Sequence, residues 1–217
     1  LEEMSEAGFP SDVVALSSVI DACAKAGAPE RAEAWIERAA EEGVAPNLFM
    51  YTAVIDAHAQ AGDGLQAAEW LELAAEAGLQ PSVASYNAVI NAFSRAGDAA
   101  SADTWLERAE VAGLRPDMTS YNTVINACAK KGDFAAVQGW MDKAEEAGRA
   151  PDAVTYNTVI AALAAKGDPK GAGQWLERMQ AQAVEPNIRT YSTLVSACAR
   201  LGDVAGARGG VTRALGA

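Results

Sequence analysis

One histidine, His58, and three cysteines, Cys23, Cys128 and Cys198, are the side chains in this 217-residue chain best suited to ligating a metal or attacking an electrophile. A metal site needs such donors at short, defined spacings, and a nucleophile needs a base held beside it. Neither pattern occurs. The cysteines instead stand 105 and 70 residues apart, multiples of 35, and the equivalent positions hold His58, Phe93 and Leu163. A slot that accepts Cys, His, Phe and Leu in turn is a packing position, where cysteine acts as a small hydrophobe. With no Gly-rich phosphate loop either, the sequence predicts no catalytic residue, no metal and no cofactor. The polar residues on the same period do different chemistry. Asn87, Asn122 and Asn157 each follow a tyrosine, and an amide offers a donor and an acceptor on one side chain.

The elements that position these residues follow from the period itself, which is sought before any local structure because missing it misassigns the fold. All five tryptophans (Trp35, Trp70, Trp105, Trp140, Trp175) and all five tyrosines (Tyr51, Tyr86, Tyr121, Tyr156, Tyr191) recur every 35 residues. So do Pro46, Pro81, Pro116, Pro151 and Pro186, the glycines from Gly27 to Gly202, and a second glycine series from Gly8 to Gly148.

Within one period the spacing reads as two helices. Tyr121, Val124, Ile125 and Cys128 mark one apolar face at helical spacing, and Gly132 provides a left-handed stop. Asp133 is placed to cap a second helix whose apolar face is Val137, Trp140, Met141 and Ala144, ended by Gly148. Pro151 then imposes an extended approach to the next unit. Neither helix buries its apolar face alone, so neighbouring units must stack. The expected fold is all-α: a right-handed superhelical solenoid of antiparallel helix pairs with a 35-residue repeat. It forms one helical-repeat domain over 1–217, with a partial unit at 1–12, units at 13–47, 48–82, 83–117, 118–152 and 153–187, and an incomplete unit at 188–217.

Charge is distributed unevenly over this frame. The net charge is −12, yet the six first-helix segments hold seven basic residues and only two acids, Asp21 and Asp56. They therefore sum to +5 and leave −17 on the second helices and turns. An acidic chain disfavours phosphate contacts as a whole, but a mildly basic row screened from the acids by ~8 Å of physiological salt can still meet an anionic strand. No stretch approaches the ~20 apolar residues of a membrane span, and no signal-peptide pattern opens the chain. Leu1 aligns with Ile36, inside a second helix, and Gly209-Gly210 stands where a tryptophan is due. These ends lead us to expect a segment of a longer array.

Ser120-Tyr121-Asn122-Thr123-Val124-Ile125, Val154-Thr155-Tyr156-Asn157-Thr158-Val159-Ile160 and the closing run Gly113-Leu114-Arg115-Pro116-Asp117 resemble pentatricopeptide repeats. The resemblance runs from Leu1 to about Arg208. Tetratricopeptide arrays differ in their 34-residue period and lack both the Tyr-Asn opening and the Gly-x-x-Pro-Asp close.

The resemblance implies binding of single-stranded RNA along the concave face, about one base per repeat, without catalysis. The residue after the tyrosine and the residue after the next closing proline read each base in that family. Carried over, the pairs are Ser17 with Asn47, Thr52 with Ser82, Asn87 with Asp117, Asn122 with Asp152, and Asn157 with Asn187, while Ser192 opens a further unit. The implied preference, 5′ to 3′, is A, an open position, U, U, then a pyrimidine. The family's phosphate-facing lysine maps to Lys25, Arg95, Lys130 and Arg200, with Gln60 and Ala165 breaking the series. Its base-sandwiching position holds Val14, Phe49 and Val154, and also Ala84, Thr119 and Arg189. The resemblance further implies a mitochondrial or plastid location. Two other readings of the same residues stand beside it. Asn87, Asn122 and Asn157 could satisfy backbone groups near the helix N-termini. The chain could also be an architectural subunit making protein–protein contacts in a large organellar assembly.

Overall fold

The computed structural model describes residues 13–200, 202 and 203. Among these residues the secondary structure is eleven α-helices: α1 (Val13–Lys25), α2 (Pro29–Glu41), α3 (Leu48–Ala61), α4 (Gly64–Glu76), α5 (Val83–Ala96), α6 (Ala99–Val111), α7 (Met118–Lys131), α8 (Phe134–Glu146), α9 (Ala153–Lys166), α10 (Pro169–Ala181) and α11 (Ile188–Arg200). Odd-numbered helices open a repeat and even-numbered ones close it. The partial unit at 1–12 and the Gly209-Gly210 pair lie outside the described residues. The chain forms two compact units, the first through Thr123 and the second from Val124, with the division inside α7.

In the first unit α1, α3 and α5 pack side by side, and α2 and α4 each lie against their own first helix and the one that follows. The core threads this arrangement: Leu16 and Ile20 of α1, Trp35 and Ile36 of α2, and Met50 and Val54 of α3 belong to one buried cluster. In the second unit α9 contacts α10 and α11, around buried Tyr156, Ile160, Leu176 and Met179. The face expected on α8, Val137, Trp140, Met141 and Ala144, is buried throughout. Tyrosine and tryptophan of one repeat pack on each other, with ring centroids 6.0 Å apart for Tyr51–Trp70 and Tyr86–Trp105. Arg108 covers the Trp105 ring at 4.4 Å and Lys143 covers Trp140 at 4.0 Å. The period therefore records one apolar seam repeated along the chain, and the fold class is an all-α solenoid of helix pairs.

The punctuation behaves as the residues dictate. Gly132 ends α7 at φ +83°, a conformation that strains any residue with a Cβ. The Asp133 carboxylate accepts the Ala136 N–H at 3.0 Å and starts α8. Asp63, Asp98 and Asp168 cap α4, α6 and α10 in the same way, whereas Ala28 gives α2 no side-chain cap. Among the described residues no helix is long and apolar enough to cross a membrane.

Candidate functional site

The second member of each predicted pair holds the start of a first helix. Side-chain oxygens of Asn47, Ser82, Asp117, Asp152 and Asn187 accept the N–H of Met50, Ser85, Ser120, Thr155 and Thr190 at 3.0, 3.4, 3.0, 2.9 and 3.1 Å. An N-terminal cap of this kind fixes both the helix start and the side chain that supplies it. The capping role weighed in the sequence for Asn87, Asn122 and Asn157 thus belongs to their partners. The first members lie further along, as the fifth residue of each helix: Ser17, Thr52, Asn87, Asn122, Asn157 and Ser192.

Three of the pairs come together across a repeat boundary. Asn87 Nδ2 donates to Asp117 Oδ1 at 3.4 Å. Thr52 Oγ1 is 3.0 Å from Ser85 Oγ, which is 3.3 Å from Ser82 Oγ, so a hydroxyl links that pair. Thr190 Oγ1 donates to Asn157 Oδ1 at 2.6 Å and also accepts the Asn187 N–H at 3.1 Å. Asn122 belongs to the first unit and Asp152 to the second, where Asp152 Oδ1 also accepts the Thr155 hydroxyl at 2.9 Å. Ser192 Oγ donates to the Arg189 carbonyl.

The buried hydroxyls at these helix starts, of which Ser85 and Thr190 bridge a pair, were missed in the sequence. Ser85, Ser120, Thr155 and Thr190 are all buried, and each directly precedes a tyrosine. That adjacency was the available signal. In the first junction Met50 takes the place of the hydroxyl, fully buried.

Two clefts collect the predicted residues. In the second unit a cleft of about 440 Å³ is lined by Asn126, Lys130, Val154, Asn157, Asn187 and Arg189. A smaller one in the first unit, about 170 Å³, is lined by Asp21, Lys25, Phe49, Thr52, Asp56 and Gln60. Val14, Phe49 and Val154 are 73%, 55% and 66% exposed, large apolar side chains left in water. Of the four predicted cations, Arg95 and Lys130 are exposed, Lys25 is exposed but paired with Asp21 at 2.6 Å, and Arg200 donates to the Ala164 carbonyl at 2.9 Å.

The electrostatics of the two clefts differ. Lys130 and Arg189 give the second a cationic rim, whereas Asp21 and Asp56 face Lys25 in the first. Burial, reinforced by the charge of Asp21, pushes the Asp56 carboxyl above the usual carboxylate range. Asp117 shows the opposite balance. Burial works against its ionisation, but hydrogen bonds from the Ser120 N–H and hydroxyl, the Asn87 amide and the Thr119 N–H outweigh it and hold the carboxyl low.

Cys23, Cys128 and Cys198 are buried free thiols in the core, and His58 is 5% exposed in the same slot. Its Nε2 lies 2.9 Å from Glu33 Oε1, which also accepts the Trp70 indole N–H at 2.7 Å. This is a structural tie between neighbouring repeats, and none of its three residues lines a cleft.

Models of the PPR repeat family match residues 81–130, 116–158 and 151–200. A model described as pentatricopeptide repeat domain matches 1–61 and 35–96. No curated protein matches the chain. Among solved structures it is similar to the pentatricopeptide repeat protein PPR10 from maize, at 29% identity and a TM-score of 0.78, over 95% of this chain and 30% of that one. PPR10 in complex with an 18-nt psaJ RNA element matches at 26% and 0.76, over 93% and 30%. The PPR domain of Arabidopsis thaliana protein-only RNase P 1 in complex with tRNA matches at 15% and 0.70, over 86% and 98%, a likeness of fold. The chain thus spans about a third of the length of PPR10.

Proposed function

The chain belongs to the pentatricopeptide repeat family, and from that premise we propose that it binds single-stranded RNA sequence-selectively, about one base per repeat, without catalysis, in organelle RNA metabolism. The observation that carries the reading is the second unit's cleft: an exposed apolar side chain, Val154, stands beside the Asn157–Asn187 pair and a cationic rim of Lys130 and Arg189. An unstacked base needs those three things: an apolar surface for its face, hydrogen-bonding groups for its edge, and cations for its phosphate. The similar maize protein is seen in complex with an RNA element, which supports the class of ligand. By the pairs carried over from the family, the preferred run is A, an open position, U, U and a pyrimidine. Mitochondrion or plastid is the location this reading takes from the family.

Fluorescence anisotropy with a labelled single strand carrying that run, against the same sequence as a duplex, tests the reading. Single-strand binding with little duplex binding is expected; equal or absent binding contradicts it. A second reading, an architectural subunit in an organellar assembly, is favoured by the net charge of −12 carried mostly on second helices and turns. Protein partners retained in a pull-down after nuclease treatment would favour that reading over the first.

A further inference from the structure

Asn87 and Asn157 occupy the same slot, yet their amides are held by opposite ends. Asp117, as a carboxylate, can only accept, so it takes the Asn87 N–H at 3.4 Å. At the last pair the donor comes from elsewhere. Thr190 is 1% exposed, and its Oγ1 accepts the Asn187 backbone N–H at 3.1 Å, which leaves its one proton to donate. The acceptors within reach are Asn157 Oδ1 at 2.6 Å and Asn187 Oδ1 at 3.2 Å, and the shorter contact takes the proton. Asn187 Oδ1 is in turn occupied by the Thr190 N–H at 3.1 Å. The carbonyl end of Asn157 is thereby turned towards Thr190, and its two N–H donors are left for the cleft lined by Lys130 and Val154.

We propose that Thr190 is a positioning residue: its buried hydroxyl sets which end of the Asn157 amide meets the base, and so sets which pyrimidine that pair prefers. This rests on the RNA-binding reading above. A donor edge suits a base that offers an acceptor at the centre of its Watson–Crick edge. Cytosine N3 is such an acceptor, whereas uracil N3–H is a donor. An amide released from Thr190 can turn either end to the cleft and accommodates both bases. The group acts through Asn157 and touches no base itself. Ser120 has the same place in the Asn87–Asp117 pair, but its hydroxyl donates to Asp117 Oδ1 at 3.1 Å, so there the carboxylate sets the amide.

The test is binding of the 217-residue chain and its Thr190→Val and Thr190→Ser variants to single strands that differ only at the base facing the Asn157–Asn187 pair. The cytosine-to-uracil affinity ratio is expected to fall by about five- to tenfold in Thr190→Val, within the discrimination one oriented amide gives. Thr190→Ser, which keeps the hydroxyl, should retain the wild-type ratio. A ratio unchanged in Thr190→Val, with RNA still bound, overturns the inference and leaves the RNA reading standing. If the wild type binds no single strand, the RNA reading fails and the specificity role with it. A readout without RNA separates these cases: the side-chain amide NMR signals of Asn157 should shift in Thr190→Val and return in Thr190→Ser, and unshifted signals overturn the positioning role. Should Thr190→Val fail to fold, Thr190→Ala carries the same comparisons.

Discussion

A half-buried amide one turn into a helix is the group on which each proposed base contact depends, and its neighbours decide what it offers. Asn122→Ala removes such an amide from a helix surface without opening the core. We expect affinity for the A-N-U-U-Y strand to fall about tenfold, the worth of one or two hydrogen bonds, with a change in Tm of about 1 °C or less. Anisotropy and a thermal melt on the same preparations check both. Asp117 makes a pH prediction. Its folded-state carboxyl is held below the ordinary value of 3.8, so the unfolded chain takes up the proton first. Its contribution to stability is therefore present above that value and is lost as the pH falls through the folded one. Asp117→Asn keeps the helix cap but not the charge. Chemical denaturation should show it less stable than wild type near neutrality, with the gap closing as the pH falls below 3.8; a gap independent of pH contradicts the assignment.

At the scale of the element, one break in a comb is informative. Ala183 occupies the place held by Gly43, Gly78, Gly113 and Gly148 and adopts φ +55°, the positive-φ conformation those glycines share. The left-handed region crowds a Cβ against the backbone. Ala183→Gly is expected to stabilise the chain by about 0.5–1 kcal/mol, raising Tm by about 1–4 °C; an unchanged or lower Tm contradicts the strain. Conversely Asp98→Ala removes the acceptor for the Ser101 N–H at 3.2 Å and should cost about 1 kcal/mol. These elements were largely legible in the sequence. Glycine, proline and aspartate act through the backbone within a few residues, so the stop at Gly132 and the cap at Asp133 follow from local chemistry. The hydroxyls of Ser85 and Thr190 were not legible, because each acts on a partner 33 residues back, Thr52 or Asn157. The period gives the spacing of neighbours but not which of their atoms meet. His58 was legible as core filling from its slot; its tie to Glu33 and Trp70 needed coordinates for the same reason.

For the whole molecule the decisive quantity is where charge falls along the row of first helices. One position of these helices reads Asp21, Asp56, Asn91, Asn126, Ala161 and Ser196 in successive repeats. The two acids thus stand at one end, and the second unit's cleft carries Lys130 and Arg189 without them. RNA affinity should depend more on the C-terminal repeats. Asp56→Asn gives the acidic cleft the residue found at 91 and 126. Because the Asp56 carboxyl is raised above 3.8 by burial and Asp21, its ionisation weakens the fold as pH rises through that raised value. The substitution should therefore raise Tm by about 1 °C at pH 7, strengthen RNA binding, and lose its stabilising effect in acid. Of the four predicted phosphate cations, Lys25 and Arg200 already have partners. Two to four neutralised phosphates give a slope of log affinity against log salt of only about −1.5 to −3.

The central claim is that the paired side chains read bases, and competition binding tests it most directly. Single strands that differ only at the third base, assigned to Asn87–Asp117, or at the last base, assigned to Asn157–Asn187, would compete with the labelled A-N-U-U-Y strand. The account predicts that replacing either pyrimidine with a purine weakens competition about tenfold and that replacing both weakens it further. Equal competition by every variant would contradict it, leaving a repeat array that holds RNA without reading it.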